Sequence, residues 1–193
     1  MLNQYFGYLS GIIILISFIP YLRGILKDQT KPERMSWLIW SVLGGISFFS
    51  QLAKGASHSL WLTGAQTFGD LFIFLLSIKY GMGGLLKRDI LALSIAGLSL
   101  IIWYLTDEPA IALFMVIFID AIGAILTMVK SYKHPATEPI TAWVLTALGG
   151  FFAILAVGKW NFILLSFPIY IFLINFMIVV IIILGIRRNH KML

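Results

Sequence analysis

Seven apolar runs divide this chain, at about 4–22, 35–53, 59–78, 90–106, 109–129, 140–157 and 162–186. A helix rising ~1.5 Å per residue needs about 20 residues to cross ~30 Å of hydrocarbon, so each run has the length of a membrane span. In a bilayer the backbone must satisfy its own hydrogen bonds, which makes each span a helix. The composition agrees: 60% of the 193 residues are apolar and 11% charged, against about half and a quarter in soluble domains. The sequence therefore predicts an all-α integral membrane protein. Its first run carries no Lys or Arg before it, unlike a cleaved signal peptide, and reads as a retained span.

The basic residues are unevenly placed. Twelve of the 14 follow the odd-numbered spans: Arg23, Lys27, Lys31 and Arg34, then Lys79, Lys87 and Arg88, then Lys130 and Lys133, then Arg187, Arg188 and Lys191. The other side has only Lys54 and Lys159. The positive-inside rule then puts the N-terminus outside and a short basic tail in the cytoplasm, in a multi-pass protein of the plasma (inner) membrane. The net charge of +6 is thus a matter of topology and gives no reason to invoke nucleic acid. The tryptophans fall mostly near span ends, as an aromatic belt predicts. No loop is long enough to fold as a separate domain, so function is expected within or across the membrane. Cysteine is absent, and His58, His134 and His190 are scattered in loops and tail, so neither a metal site nor a nucleophile–base pair emerges. No cofactor and no catalysis are expected. A retinal protein is excluded because residues 162–186 hold no lysine for a Schiff base.

The chain also repeats itself. With Trp37 laid on Trp143, Lys27 falls on Lys133 and Pro20-Tyr21 on Leu126-Thr127. After a small change of offset, Phe48-Phe49-x-x-Leu52-Ala53-x-Gly55 matches Phe151-Phe152-x-x-Leu155-Ala156-x-Gly158. An internal duplication accounts for both blocks and their order. The expected division is a first three-helix repeat at 1–82, a linker helix at 83–108 and a second three-helix repeat at 109–193. One connecting span returns the chain to its starting side, so the two repeats run parallel about an axis along the membrane normal.

Three polar side chains sit deep in spans: Asp70, Asp120 and Asn175, each eight to thirteen residues from its span's ends. A charge at that depth costs ~2.5 kcal/mol or more, so such residues face a protein interior and mark function by default. Thr63, Gln66, Thr67 and Asp70 recur at helical spacing on one face, as do Asp120, Gly123 and Thr127. At offset 105, Asp70 overlays Asn175. The plainer alternative is that the two carboxyls are neutral and only bond neighbouring helices. The candidate substrate-binding residues are Asp70, Asn175, Gln66, Asp120 and Thr127. Pro20 and Pro168 lie inside spans and are candidate hinges or gates.

The three-plus-one-plus-three arrangement, with Pro20-Tyr21 before a basic turn and a weaker copy after span five, resembles the PQ-loop superfamily, to which the SWEET and SemiSWEET sugar transporters belong. The Pro-Gln dipeptide reads Pro20-Tyr21 in the first repeat and Leu126-Thr127 in the second. The resemblance covers nearly the whole chain in topology. It implies a small-solute transporter working by alternating access, facilitative or proton-coupled, for a sugar or another small polar metabolite. An asparagine of each third helix lines the SWEET pocket; Asn175 matches that position and Asp70 replaces its partner. Phe48-Phe49 and Phe151-Phe152 would supply aromatic surface. The KDEL receptor, which uses the same fold to hold a peptide, gives the alternative of a membrane receptor or sorting protein that binds without transporting. Expected partners are a small-molecule substrate, protons and membrane lipid, with oligomeric state left open.

Overall fold

The computed structural model describes residues 2–53, 59–84, 86–105, 109–158, 160 and 162–190. Lys54, Gly55, His58, Lys159 and Lys191 lie outside them, as do the side chains of Phe49, Thr63, Trp61 and Trp103. The order is α1 (Leu2–Leu26), α2 (Arg34–Ala53), α3 (Ser59–Tyr80), α4 (Lys87–Tyr104), α5 (Pro109–Lys133), a 3-10 turn (Pro135–Thr137), α6 (Ile140–Val157) and α7 (Phe162–His190). Each apolar run is a helix, and no strand occurs among the described residues. Among the described residues, four helices are long and apolar enough to cross a membrane, over Leu2–Leu26, Leu113–Lys133, Ile140–Val157 and Leu165–Asn189. This is a membrane protein. The apolar stretch of α4, Asp89–Ile102, is shorter.

The helix ends follow from local chemistry. Proline opens α5, where its missing N–H costs nothing. Glu33 caps α2: its carboxylate accepts the Ser36 N–H at 2.8 Å. Asp89 reaches back from the first turn of α4 to the N–H groups of Gly84 and Leu86, both at 3.2 Å. Gly158 ends α6 at φ 67°, a left-handed conformation that glycine takes without a Cβ clash.

The chain divides into two compact units, Met1–Thr30 with Met128–Leu193, and Lys31–Thr127. These packing units interleave the sequence segments, each drawing helices from both 1–82 and 109–193.

In the first unit α6 packs between α1 and α7. Two adjacent glycines allow this. A Cβ on Gly149 would stand 3.4 Å from the Ser10 carbonyl and against Ile14, on α1. One on Gly150 would stand 2.7 Å from the Phe172 backbone nitrogen, on α7. Such close approach lets short bonds form between helices. Ser10 donates to the Gly149 carbonyl at 2.8 Å and Thr146 to Ser17 at 3.1 Å.

In the second unit α2 packs on α3, and Met35 and Ile39 of α2 join Ala92 and Ala96 of α4 with Ile119 and Leu126 of α5 in one buried cluster. The segment before α2 docks on the end of α3. Met82 N–H donates to the Pro32 carbonyl at 2.7 Å, and Arg34 N–H to the Met82 carbonyl at 2.9 Å. The Arg34 guanidinium donates to the carbonyls of Ser77 and Ile78, both at 3.2 Å, giving the last turn of α3 a cation.

Candidate functional site

Four of the five predicted substrate-binding residues, Gln66, Asp70, Asp120 and Thr127, fall on the second unit's α3 and α5. Asp70 is buried on α3, and Asp120 is half-buried on α5. Their carboxyl groups are close enough to interact electrostatically. One turn before Asp70, the Thr67 hydroxyl is buried and makes no hydrogen bond among the described residues. Thr67 packs on α2, where a Cβ on Gly44 would stand 2.8 Å from the Thr67 oxygen. Trp40 of α2 reaches α5, donating its indole N–H to the Asp120 carbonyl at 3.2 Å, over the space that Gly123 leaves free. Gln66 is exposed, so the polar stripe of α3 runs along the margin of its buried face.

Thr127, on the same α5, is engaged differently. It is fully buried two turns beyond Asp120, and its hydroxyl donates to the Ser36 oxygen at 2.9 Å, near the start of α2. Asn175 is buried on α7 in the first unit, where its amide donates to the Ile171 carbonyl at 2.8 Å. Pro20 lies inside α1 and Pro168 inside α7, and both helices continue beyond them. Pro20 gives no N–H to the Ile16 carbonyl, nor Pro168 to that of Leu164, which makes each a point of weakness.

Sequence reasoning missed two buried glutamates. In the first unit Glu138 accepts hydrogen bonds from Lys130, from the Trp143 indole at 2.8 Å and from the Tyr21 hydroxyl at 3.1 Å. The Lys130 and Glu138 side chains, 2% and 0% exposed, form a desolvated ion pair. Lys130 is thus a core residue, although it counts toward the basic loops by position. In the second unit Glu33 is 0% exposed, and its carboxylate holds both the N–H and hydroxyl of Ser36. The Ser36 oxygen also lies 2.6 Å from the Gly123 carbonyl. Trp37 and Trp143, in the first turns of α2 and α6, are buried against protein. A signal was present: a glutamate precedes each of these two tryptophans, by four residues at Trp37 and by five at Trp143.

Among the described residues, no group of three or more metal-binding side chains is brought together. The chain matches no known protein family, no curated protein and no solved structure.

Proposed function

We propose that this protein is a small-solute transporter of seven spans, built as two parallel three-helix repeats joined by α4 and working by alternating access. Asp70, Asp120 and Asn175 are the solute-binding groups of these repeats. The observation that carries this reading is a shared burial register: Asp70, Ile73 and Ser77 are buried on α3, and Asn175, Ile178 and Ile182 on α7, each pair separated by 105 residues. Spacing at i, i+3 and i+7 is common to any helix buried on one face; what supports the duplication is that an acid and an amide occupy the same position of that pattern at one offset.

Two further parallels support the duplication. Gly44 of α2 packs on Thr67, three residues before Asp70; Gly150 of α6 packs on Phe172, three residues before Asn175. Tyr21 on α1 bonds Glu138 at the start of α6, while Thr127 on α5 bonds Ser36, which Glu33 holds at the start of α2. Of these residues the Trp37–Trp143 alignment overlays Tyr21 on Thr127, and it leaves the two glutamates one position apart. Together they fit a PQ-loop-like chain, and the distribution of Lys and Arg supports an N-terminus outside and a tail in the cytoplasm.

Transport suits the chemistry. Two mid-span carboxyls without a basic residue in any apolar run attract a proton or a polar solute that donates hydrogen bonds. Buried charge of this kind is costly unless something compensates it. Uptake of labelled sugars, amino acids and vitamins into proteoliposomes tests the reading. Saturable flux of one of them supports it. A solute that binds the purified protein without crossing the membrane would instead establish the receptor alternative.

A further inference from the structure

A separate pocket lies on the first unit, at the end of α1 opposite the N-terminus. It has a volume of about 500 Å³ and is walled by the last turns of α1 and the start of α6. Arg23 and Lys27, one helical turn apart on α1, both line it, and both side chains are exposed. Thr30 lines it too. That residue is only 2% exposed, and its hydroxyl packs against Gly24. On the facing wall, Ile140 and Thr141 open α6 after Pro139, with no side chain capping the helix. The first turn of an uncapped helix offers N–H groups and a partial positive charge. Glu138 is the one acidic lining residue, and Lys130 already holds its carboxylate. The pocket therefore presents two cations, a hydroxyl and a helix N-terminus to one space, with no uncompensated negative charge.

The pocket also has an apolar approach. Ile12, Ile16, Ile19 and Arg23 follow one another at helical spacing along α1, and the three isoleucines are 55%, 44% and 46% exposed. This stripe of membrane-facing surface ends at the basic pocket, and Ile19 is part of its lining. We propose that the pocket binds the phosphate of an anionic phospholipid, with Arg23, Lys27 and Thr30 on the headgroup and an acyl chain along the α1 stripe. Basic pockets beside spans on the cytoplasmic side are suited to such headgroups. The stripe favours a lipid over a free phosphate, which would gain nothing from it.

Native mass spectrometry of the full chain in neutral detergent tests this. The probes are phosphatidylglycerol, phosphatidylcholine of the same acyl length, and inorganic phosphate. Phosphatidylglycerol is expected to bind more tightly than the other two. Removing two surface charges in Arg23→Gln/Lys27→Gln should weaken it by about 30-fold, roughly a factor of five for each cation. Lys79→Gln/Lys87→Gln removes the same charge from α3 and α4 and should leave binding unchanged. Both pairs of side chains are exposed, so neither variant should disturb folding. Equal binding of the two lipids, unchanged binding in the pocket variant or equal loss in the control would overturn the site. Inorganic phosphate binding as tightly as phosphatidylglycerol would overturn the lipid assignment.

Discussion

Glu138→Gln is expected to be among the most destabilising single changes in the first unit. It leaves the Lys130 ammonium, only 2% exposed, with the Thr137 carbonyl at 3.3 Å in place of a carboxylate. Removing one partner of a buried ion pair costs about 3–5 kcal/mol. The amide has one acceptor oxygen where Glu138 serves Tyr21 and Trp143 through two, so one neutral bond, about 1 kcal/mol, goes as well. Lys130→Met leaves the carboxylate with its two neutral donors and should fall near the lower end of that range, about 3 kcal/mol. The double variant has no stranded charge and should lie within about 1–2 kcal/mol of the parent. A double-mutant cycle by reversible SDS unfolding in mixed micelles reads this as a coupling of a few kcal/mol. Additive costs would refute the reasoning, because they would mean that water reaches Lys130 once its partner is gone.

Three further outcomes follow from the packing and the proposed topology. Gly150→Val should destabilise by about 1–3 kcal/mol or more in the same assay, since backbone atoms of Phe172 cannot yield; Gly45→Ala, with nothing within 4 Å of the added carbon, should be neutral or slightly stabilising. Ser36→Ala should cost about 1–3 kcal/mol, because it strands the Thr127 hydroxyl and one bond of the Glu33 carboxylate in a buried cluster. The chain has no cysteine, so any introduced one is a unique reporter. An impermeant maleimide applied to intact cells should label Asn3→Cys and spare His134→Cys, and the reverse pattern would overturn the N-out orientation.

The helices were legible from the sequence because hydrocarbon imposes one secondary structure and one length on an apolar run. The positions of Asp70 and Asn175 were legible for a related reason: a polar group in the middle of such a run must turn inward, and both are buried. Side-chain partnerships were not legible. Lys130 looks like any loop cation until the turn at Pro135–Thr137 folds Glu138 back onto it. Thr127 has helical spacing with Asp120, but spacing along one helix cannot show that Ser36 on another helix takes its hydroxyl. Gln66 shares a turn with Asp70, yet a small rotation about the helix axis separates an exposed residue from a buried one. Packing depends likewise on neighbours that no local pattern names. Gly149 and Gly150 are adjacent in sequence, but only the fold shows that one admits α1 and the other α7.

The role of the mid-span acids is tested most directly by solute flux through Asp70→Asn and Asp120→Asn in proteoliposomes, alongside a check that each variant remains folded. Each substitution keeps the side-chain shape and removes the ionisable group. Losing one charge-assisted hydrogen bond to solute or proton should lower flux by about 10- to 100-fold. Flux and pH dependence unchanged in both folded variants would contradict the account and leave the two carboxyls as structural residues.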